Sequence, residues 1–320
     1  LEAHLHIPIR FKPILKDKVW GGGKLHELLN KPSGSRCGES WELSAVPGDV
    51  SVVSGGPFDG MTLEELQQQF GVELMGEKGM DHGKDGFPLL FKFIDAKEDL
   101  SVQLHPDDAL AQKRHQSLGK TEMWYVMQAD PGARLILGFN QPTTSETYLQ
   151  YLHEGRLTEL LAHVPVKAGD AFFISPGTVH AIGGGVMLAE IQQTSDVTYR
   201  LFDWDRPDVD GSYRELHTDQ ALDAIRYEAF DGQLHRGENG LLCRSDYFVT
   251  HLLEVEGDLQ RRSSEHKSFH VYMGVGGQAT IHTEGGSMEL KPGQTVLVPA
   301  AANSVRISAS KASILEVYLP

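Results

Sequence analysis

Lys167-Ala-Gly-Asp-Ala-Phe-Phe-Ile-Ser-Pro-Gly-Thr-Val-His180 is the stretch that decides the fold, because it reads as one strand between two tight turns and its pattern occurs twice. Glycine in each turn frees the backbone for a sharp reversal, and the apolar residues between them suit a buried strand. Near the other end, Lys291-Pro-Gly-Gln-Thr-Val-Leu-Val-Pro-Ala-Ala-Ala-Asn-Ser304 echoes the same turn, strand and turn. The first copy finishes in a histidine and the second does not.

Outward from this element, the chain is a succession of short strands punctuated by Gly, Pro, Asp and Asn, the pattern of sandwiches and barrels. Strands are expected at 39–43, 49–53, 89–94, 122–127, 134–138, 171–174, 186–192 and 198–201. Helices are expected at 62–70, where Thr62 and Glu65 form a capping-box pattern, at 107–116 after Pro106, and at 145–162, with a short one near 219–227. The polar, glycine-bearing text between about 228 and 239 reads as a linker, dividing the chain into 1–235 and 236–320.

The bulk properties exclude several function classes. A hydrophobic fraction of 40% with 23% charged residues describes a globular protein. A net charge of −15 repels a nucleic acid at long range, while 29 Lys and Arg residues suffice for a local anion pocket. Cys37 and Cys243 are far apart and in no C-x-x-C pattern, so neither a disulfide framework nor a thiolate zinc site is expected. No apolar run is long enough to span a bilayer, and residues 1–15 lack a signal-peptide core, so a cytoplasmic location without membrane or nucleic-acid partners is expected.

The repeated element resembles the second conserved motif of cupins, a Pro-Gly-Asp turn, a strand, and a Pro-x-Gly-x-x-His turn that points the histidine into a small jelly-roll barrel. The resemblance implies a mainly β fold of two tandem cupin-type jelly-roll barrels with a few short helices inserted in the first. Only the first, catalytic barrel carries metal ligands.

Four residues make the candidate metal set. Gln103 and His105 are two apart, so on a strand they share one face. Alone, such a pair is also what a hydrogen-bonded strand end looks like. Glu122 enters an aromatic and apolar strand, as either an exposed edge charge or a buried carboxylate with a cationic partner. His180 ends the cupin-like turn. Together they offer two imidazoles, one carboxylate and one amide oxygen, suited to Zn²⁺ or another divalent first-row ion with an open position for water or substrate.

Val102-Gln-Leu-His-Pro-Asp-Asp108, Gly119-Lys-Thr-Glu-Met-Trp-Tyr125, Pro176-Gly-Thr-Val-His-Ala181 and Glu190-Ile-Gln-Gln-Thr-Ser-Asp-Val-Thr-Tyr-Arg-Leu-Phe-Asp-Trp-Asp205 resemble type I phosphomannose isomerase of the shorter bacterial kind. Lys18-Val-Trp-Gly-Gly22 and Gly38-Glu-Ser-Trp-Glu42 fit it as well. The resemblance implies one zinc per chain on Gln103, His105, Glu122 and His180, and a sugar-phosphate substrate. It also implies interconversion of mannose 6-phosphate and fructose 6-phosphate through a cis-enediol. Lys120, Glu190 and Arg200 match three further family positions and carry over as catalytic candidates.

The chemistry of these three is arguable separately. Lys120 would place an ammonium beside the metal. Arg200 presents a fork of donors for a phosphate or an enediolate oxygen. Glu190 would shuttle a proton if apolar surroundings raise its pKa. Read without the resemblance, they are a solvated lysine, an edge-strand glutamate and a surface arginine. Ser101, Trp20, Tyr199 and Trp204 read as structural, and Asp196 as a partner for Arg200 or for a ligand histidine. The alternatives are another cupin metalloenzyme, against which the glutamine ligand speaks, and a non-catalytic sugar-binding cupin.

Overall fold

The computed structural model describes residues 5–83 and 86–320, and it is built mainly of antiparallel β-sheet. A seven-stranded sheet runs in the order Ile14–Gly22, Cys37–Leu43, Leu89–Ala96, Val186–Gln193, Glu122–Ala129, Ala171–Ile174, Gln233–Leu234. Facing it is a five-stranded sheet, Tyr199–Phe202, Val102–Leu104, His180–Ile182, Arg134–Phe139, Leu161–Pro165. Side chains from both, among them Ile94, Trp124, Phe172 and Leu188 from one and Leu135, Leu137 and Ile182 from the other, fill a common interior.

Strand alternation sorts each residue to a face. In the five-stranded sheet, Leu135, Leu137 and Ile182 point inward. Val102, Leu104, Ile136, Ala181, Tyr199 and Leu201 point outward, under a cover that includes Tyr148, Leu157 and Leu160. The seven-stranded sheet has no solvent face at its centre: Phe91, Phe93, Met123, Met187 and Ile191 pack outward into a core shared with Phe269, Val271, Met273, Leu315 and Val317. Burial on both sides accounts for the near-continuous apolar text of Leu89–Ala96 and Val186–Gln193, which are buried at every position.

The C-terminal strands form one antiparallel sheet, Leu241–Arg244, Val249–Arg261, Val305–Tyr318, His270–Thr283, Gly286–Leu290, with Thr295–Val298 paired to His270–Thr283. Register shifts at Val255/Gly257, Gly274/Gly276 and Gln278/Thr280 bend these long strands. They curl round a core of their own, which includes Tyr272, Ile281, Val296, Ile307 and Ile314. That curl fits the expected second barrel. The repeat is visible in the backbone: Gly169 and Gly293 both adopt positive φ, 91° and 81°, ahead of the strands Ala171–Ile174 and Thr295–Val298.

Local expectations hold where the signal is local. Thr62 and Glu65 form the reciprocal capping box at the start of the helix Leu63–Phe70, and Asp107 caps Asp108–His115. The single helix expected over 145–162 is not formed. Ser145–His153 ends before Gly155, whose φ of 69° breaks it, and a 3₁₀ turn, Leu157–Leu160, leads into the strand Leu161–Pro165. Leu157 and Leu160 still enter the same core, so their apolar spacing extends past the break. The expected linker contributes the strand Gln233–Leu234 to the first sheet, and the chain start crosses to the C-terminal unit through the pair Ile9 and Leu297. Among the described residues no helix is long and apolar enough to cross a membrane.

Buried polar groups in the C-terminal unit converge on Glu316, which receives the Tyr272 hydroxyl at 2.9 Å, His270 Nδ1 at 3.1 Å and both arms of Arg261. Burial alone would push its carboxyl up, but His270 and Arg261 outweigh burial and hold it at about 2, against an ordinary value of 4.5. A depressed native pKa contributes stability that is complete above the ordinary value and lost as pH falls toward about 2. In urea melts, the chain is therefore expected to lose stability between pH 4.5 and 2. Glu316→Gln should be less stable at pH 7, yet show a flatter acid limb. Phe91→Ala, at a fully buried position, should cost about 3–5 kcal/mol in the same melts.

Candidate metal centre

Register places the candidates before any side-chain detail is needed. His180 lies directly opposite Gln103, and Gln103 directly opposite Arg200, so the three stand in one row on the inward face of the five-stranded sheet. On the facing sheet, Glu122 pairs with Gln192, and Glu190 pairs with Trp124 on one side and Lys92 on the other. These also point inward, at the end of the barrel that the apolar interior leaves free.

His105, Glu122 and His180 are each about 1% exposed, and their ligand atoms lie within 4.8 Å of one another. The tautomer of each imidazole follows from its neighbour. His105 Nδ1 is 2.9 Å from the Val197 carbonyl and His180 Nδ1 is 2.9 Å from the Thr178 carbonyl. A carbonyl only accepts, so each Nδ1 carries the proton and each Nε2 presents a lone pair. The Nε2 atoms converge on one carboxylate, His105 at 3.4 Å from Glu122 Oε1 and His180 at 3.7 Å from Oε2.

Electrostatics keeps this set in its ligating form. Burial lowers the pKa of both histidines, that of His105 to about 4 with the help of the Lys120 charge, so both rings stay neutral. Burial would raise the Glu122 carboxyl, but the Lys120 charge overcomes it and holds the group well below the usual range. Lys120 Nζ is 2.9 Å from Glu122 Oε1 and 3.2 Å from His105 Nε2. His180 Nε2 and Glu122 Oε2, both buried, have no hydrogen-bond partner. Orphaned buried acceptors of this kind are costly unless a cation takes their lone pairs, and two imidazoles with a carboxylate are the donors a divalent first-row ion uses. Gln103, whose Oε1 accepts from Ser101 Oγ at 3.1 Å, supplies an amide oxygen on the same face.

A cleft beside this cluster is lined by Gln103, Lys120, His180, Glu190, Lys92 and Glu39, with Leu100, Trp124 and Ile94 as apolar wall. Lys120 precedes the strand, in the turn before Glu122, and still reaches the carboxylate. Glu190 does not have the apolar surroundings expected of it: Lys92 Nζ is 3.0 Å away and Trp124 Nε1 donates to it at 2.8 Å. Arg200 shares the row but not the contacts. Its Nη1 donates to the Glu215 carbonyl at 2.9 Å, while its buried Nε has no partner. Asp196 is exposed and holds neither Arg200 nor a histidine, because the carbonyls of Val197 and Thr178 orient the rings. Asp203 instead grips Arg214 through both oxygens, at 2.6 and 2.8 Å.

Lys92 escaped the sequence reading, and Glu39 and Trp41 entered it only within the motif Gly38–Glu42, without a role. Lys92 is 5% exposed, ion-paired to Glu190, and its Nζ lies 4.9 Å from the centre of the Trp41 ring. Glu39 accepts from Trp41 Nε1 at 2.7 Å. A signal did exist: Leu89-Leu-Phe-Lys-Phe-Ile94 is an apolar run broken by one lysine, and Val186–Gln193 is broken by Glu190 in the same way. On strands buried on both faces, a charge has to meet an opposite charge inside.

Residues 9–129 match the family described as phosphomannose isomerase type I, catalytic domain, and residues 239–319 match the mannose-6-phosphate isomerase cupin domain. A mannose-6-phosphate isomerase of Streptococcus mutans serotype c is 35% identical over 304 residues, covering 93% of this chain and 94% of that protein. The crystal structure of the mannose 6-phosphate isomerase from Bacillus subtilis has a TM-score of 0.87 at 31% identity, over 98% of this chain and 99% of that one. A structure described as mannose 6-phosphate isomerase bound with zinc and yttrium shares the fold, with a TM-score of 0.76 at 17% identity over 98% and 99% of the two chains.

Cation affinity checks the cluster directly. His105→Ala and His180→Ala, titrated with Zn²⁺ against a competing chelator, should each bind more than about a hundredfold more weakly than the parent. Unchanged affinity would remove these residues from the ligand set.

Proposed function

The chain belongs to the type I phosphomannose isomerases and interconverts mannose 6-phosphate and fructose 6-phosphate, and from this premise we propose that it does so with one zinc held by Gln103, His105, Glu122 and His180. The observation that supports the reading is the convergence of two neutral Nε2 lone pairs on an ionised, buried carboxylate whose second oxygen has no other partner. Zinc accords with a donor set of two imidazoles, one carboxylate and one amide oxygen, and with its presence in the distant isomerase of the same fold. When bound, the ion supplies Lewis acidity toward the oxygens on C1 and C2. We assign the metal-bearing barrel to 1–235 and the C-terminal unit to 236–320 within the same reading.

The reaction takes the proton from C2 of the open-chain aldose and places one on O1, giving the cis-enediol. It then takes the O2 proton and places one on C1. Each transfer needs a group within hydrogen-bond reach of two adjacent carbons. We assign this role to Glu190, a carboxylate on the cleft wall steadied by Lys92 and Trp124. Lys120 lies between the ligand set and the cleft, where its ammonium donates to an oxygen as charge develops there. Arg200, in the row beyond Gln103, has donors free for phosphate or for the enediolate oxygen. Together these cations make a local attraction for a dianionic sugar phosphate on a chain of net charge −15.

A coupled assay with mannose 6-phosphate tests the reading. Chelation should abolish turnover and Zn²⁺ should restore it; full activity in a metal-free sample would sink the mechanism. Arg200→Ala should lower kcat/KM by about a hundredfold or more while zinc content stays at one per chain. Glu190→Gln should depress kcat by about 10²–10⁴ with little change in KM.

A further inference from the structure

The turn from Gly119 to Thr121 carries Lys120 and runs directly into Glu122, and each of its backbone N–H groups has its own acceptor. Gly119 donates to Asp108 Oδ1 at 2.8 Å, Lys120 to the Pro106 carbonyl at 3.2 Å, and Thr121 to Gln193 Oε1 at 2.9 Å. Gln193 returns its own N–H to the Thr121 carbonyl at 3.2 Å and its Nε2 to Asp108 Oδ1 at 2.9 Å. A Cβ on Gly119 would lie 2.5 Å from the Asp108 nitrogen, so the turn is seated against the helix start with no slack.

The other carboxylate oxygen of Asp108 is taken from a distant part of the chain. Tyr247 donates its hydroxyl to Asp108 Oδ2 at 2.6 Å across 139 residues. Tyr247 lies in the turn between Leu241–Arg244 and Val249–Arg261 of the C-terminal unit, where Ser245 Oγ accepts the N–H groups of Tyr247 at 3.2 Å and Phe248 at 3.1 Å. Burial and Asp108 push the Tyr247 hydroxyl above its ordinary pKa, so it remains a donor.

We propose that Tyr247, Asp108 and Gln193 are positioning residues, a hydrogen-bonded relay by which the C-terminal unit fixes the Gly119–Thr121 turn and hence Lys120 and Glu122. This rests on the assignment of Lys120 and Glu122 to the active site. A charge-assisted bond to a carboxylate is directional as well as strong, and a misplacement of about 1 Å at a reacting group is enough to cost about a hundredfold in rate. The second barrel thereby acts on the chemistry through geometry.

The test uses the full chain with Tyr247→Phe, Asp108→Asn and the double variant, assayed with mannose 6-phosphate and titrated with Zn²⁺ in the metal-free state. A relay predicts that Tyr247→Phe lowers kcat by about 5- to 10-fold with KM within about twofold, and weakens Zn²⁺ binding by a similar factor. It also predicts that the double variant is no worse than Asp108→Asn alone, since both break one chain of contacts. Gln193→Leu, within the catalytic unit, reports the same loss if a change at the unit boundary unfolds the protein. Parental kcat and Zn²⁺ affinity in Tyr247→Phe, or a fall in melting temperature alone, would overturn the relay. An inactive parent would instead count against the isomerase reading, and the Zn²⁺ affinities would then decide the relay by themselves.

Discussion

Burial of the seven-stranded sheet on both faces is the constraint on which the rest depends. Its central strands have apolar partners outside, in the core shared with the C-terminal unit, and inside, in the barrel. A charge placed there has no route to water. Lys92, Glu122 and Glu190 are tolerated because each finds an opposite charge or a donor within the barrel. Breaking such a buried pair by removing one partner leaves an uncompensated charge, at a cost of about 3–5 kcal/mol. The polar end of the interior is therefore stable only as a complete set, which is also the condition under which its groups hold fixed protonation states.

Much of this was legible in the sequence because the responsible physics is local. The turn glycines, the capping box at Thr62 and the Pro106–Asp107 helix start act through neighbouring residues. His180 was legible because its turn is stereotyped, and Gln103 with His105 because alternation puts them on one face. What escaped was non-local. Gly155 ends a helix whose apolar spacing continues, since Leu157 and Leu160 serve the same core from a different backbone. Lys92 meets Glu190 only through sheet register, and the histidine-orienting groups are main-chain carbonyls, which no residue pattern announces.

Charge shows the same division between global and local. The chain as a whole is acidic, yet the side chains lining the cleft include Lys92 and Lys120, and Arg200 stands in the row beyond Gln103. A net negative surface discourages polyanions, while a recessed cluster of cations in a low-dielectric setting still selects a small one. Neutral histidines complete the selection: were they protonated, the donors needed for a cation would be lost.

The row His180, Gln103, Arg200 has an evolutionary consequence. Because neighbouring positions on a strand face opposite ways, this row constrains chain length as strictly as residue identity. One residue gained or lost between Pro176 and His180 would offer the barrel the isopropyl group of Val179 or the methyl group of Ala181 in place of an imidazole. The stretch from 205 to 217, by contrast, enters no sheet. A change of length there leaves the register of the strands intact, although the Glu215 carbonyl and Arg214 tie the stretch to Arg200 and Asp203.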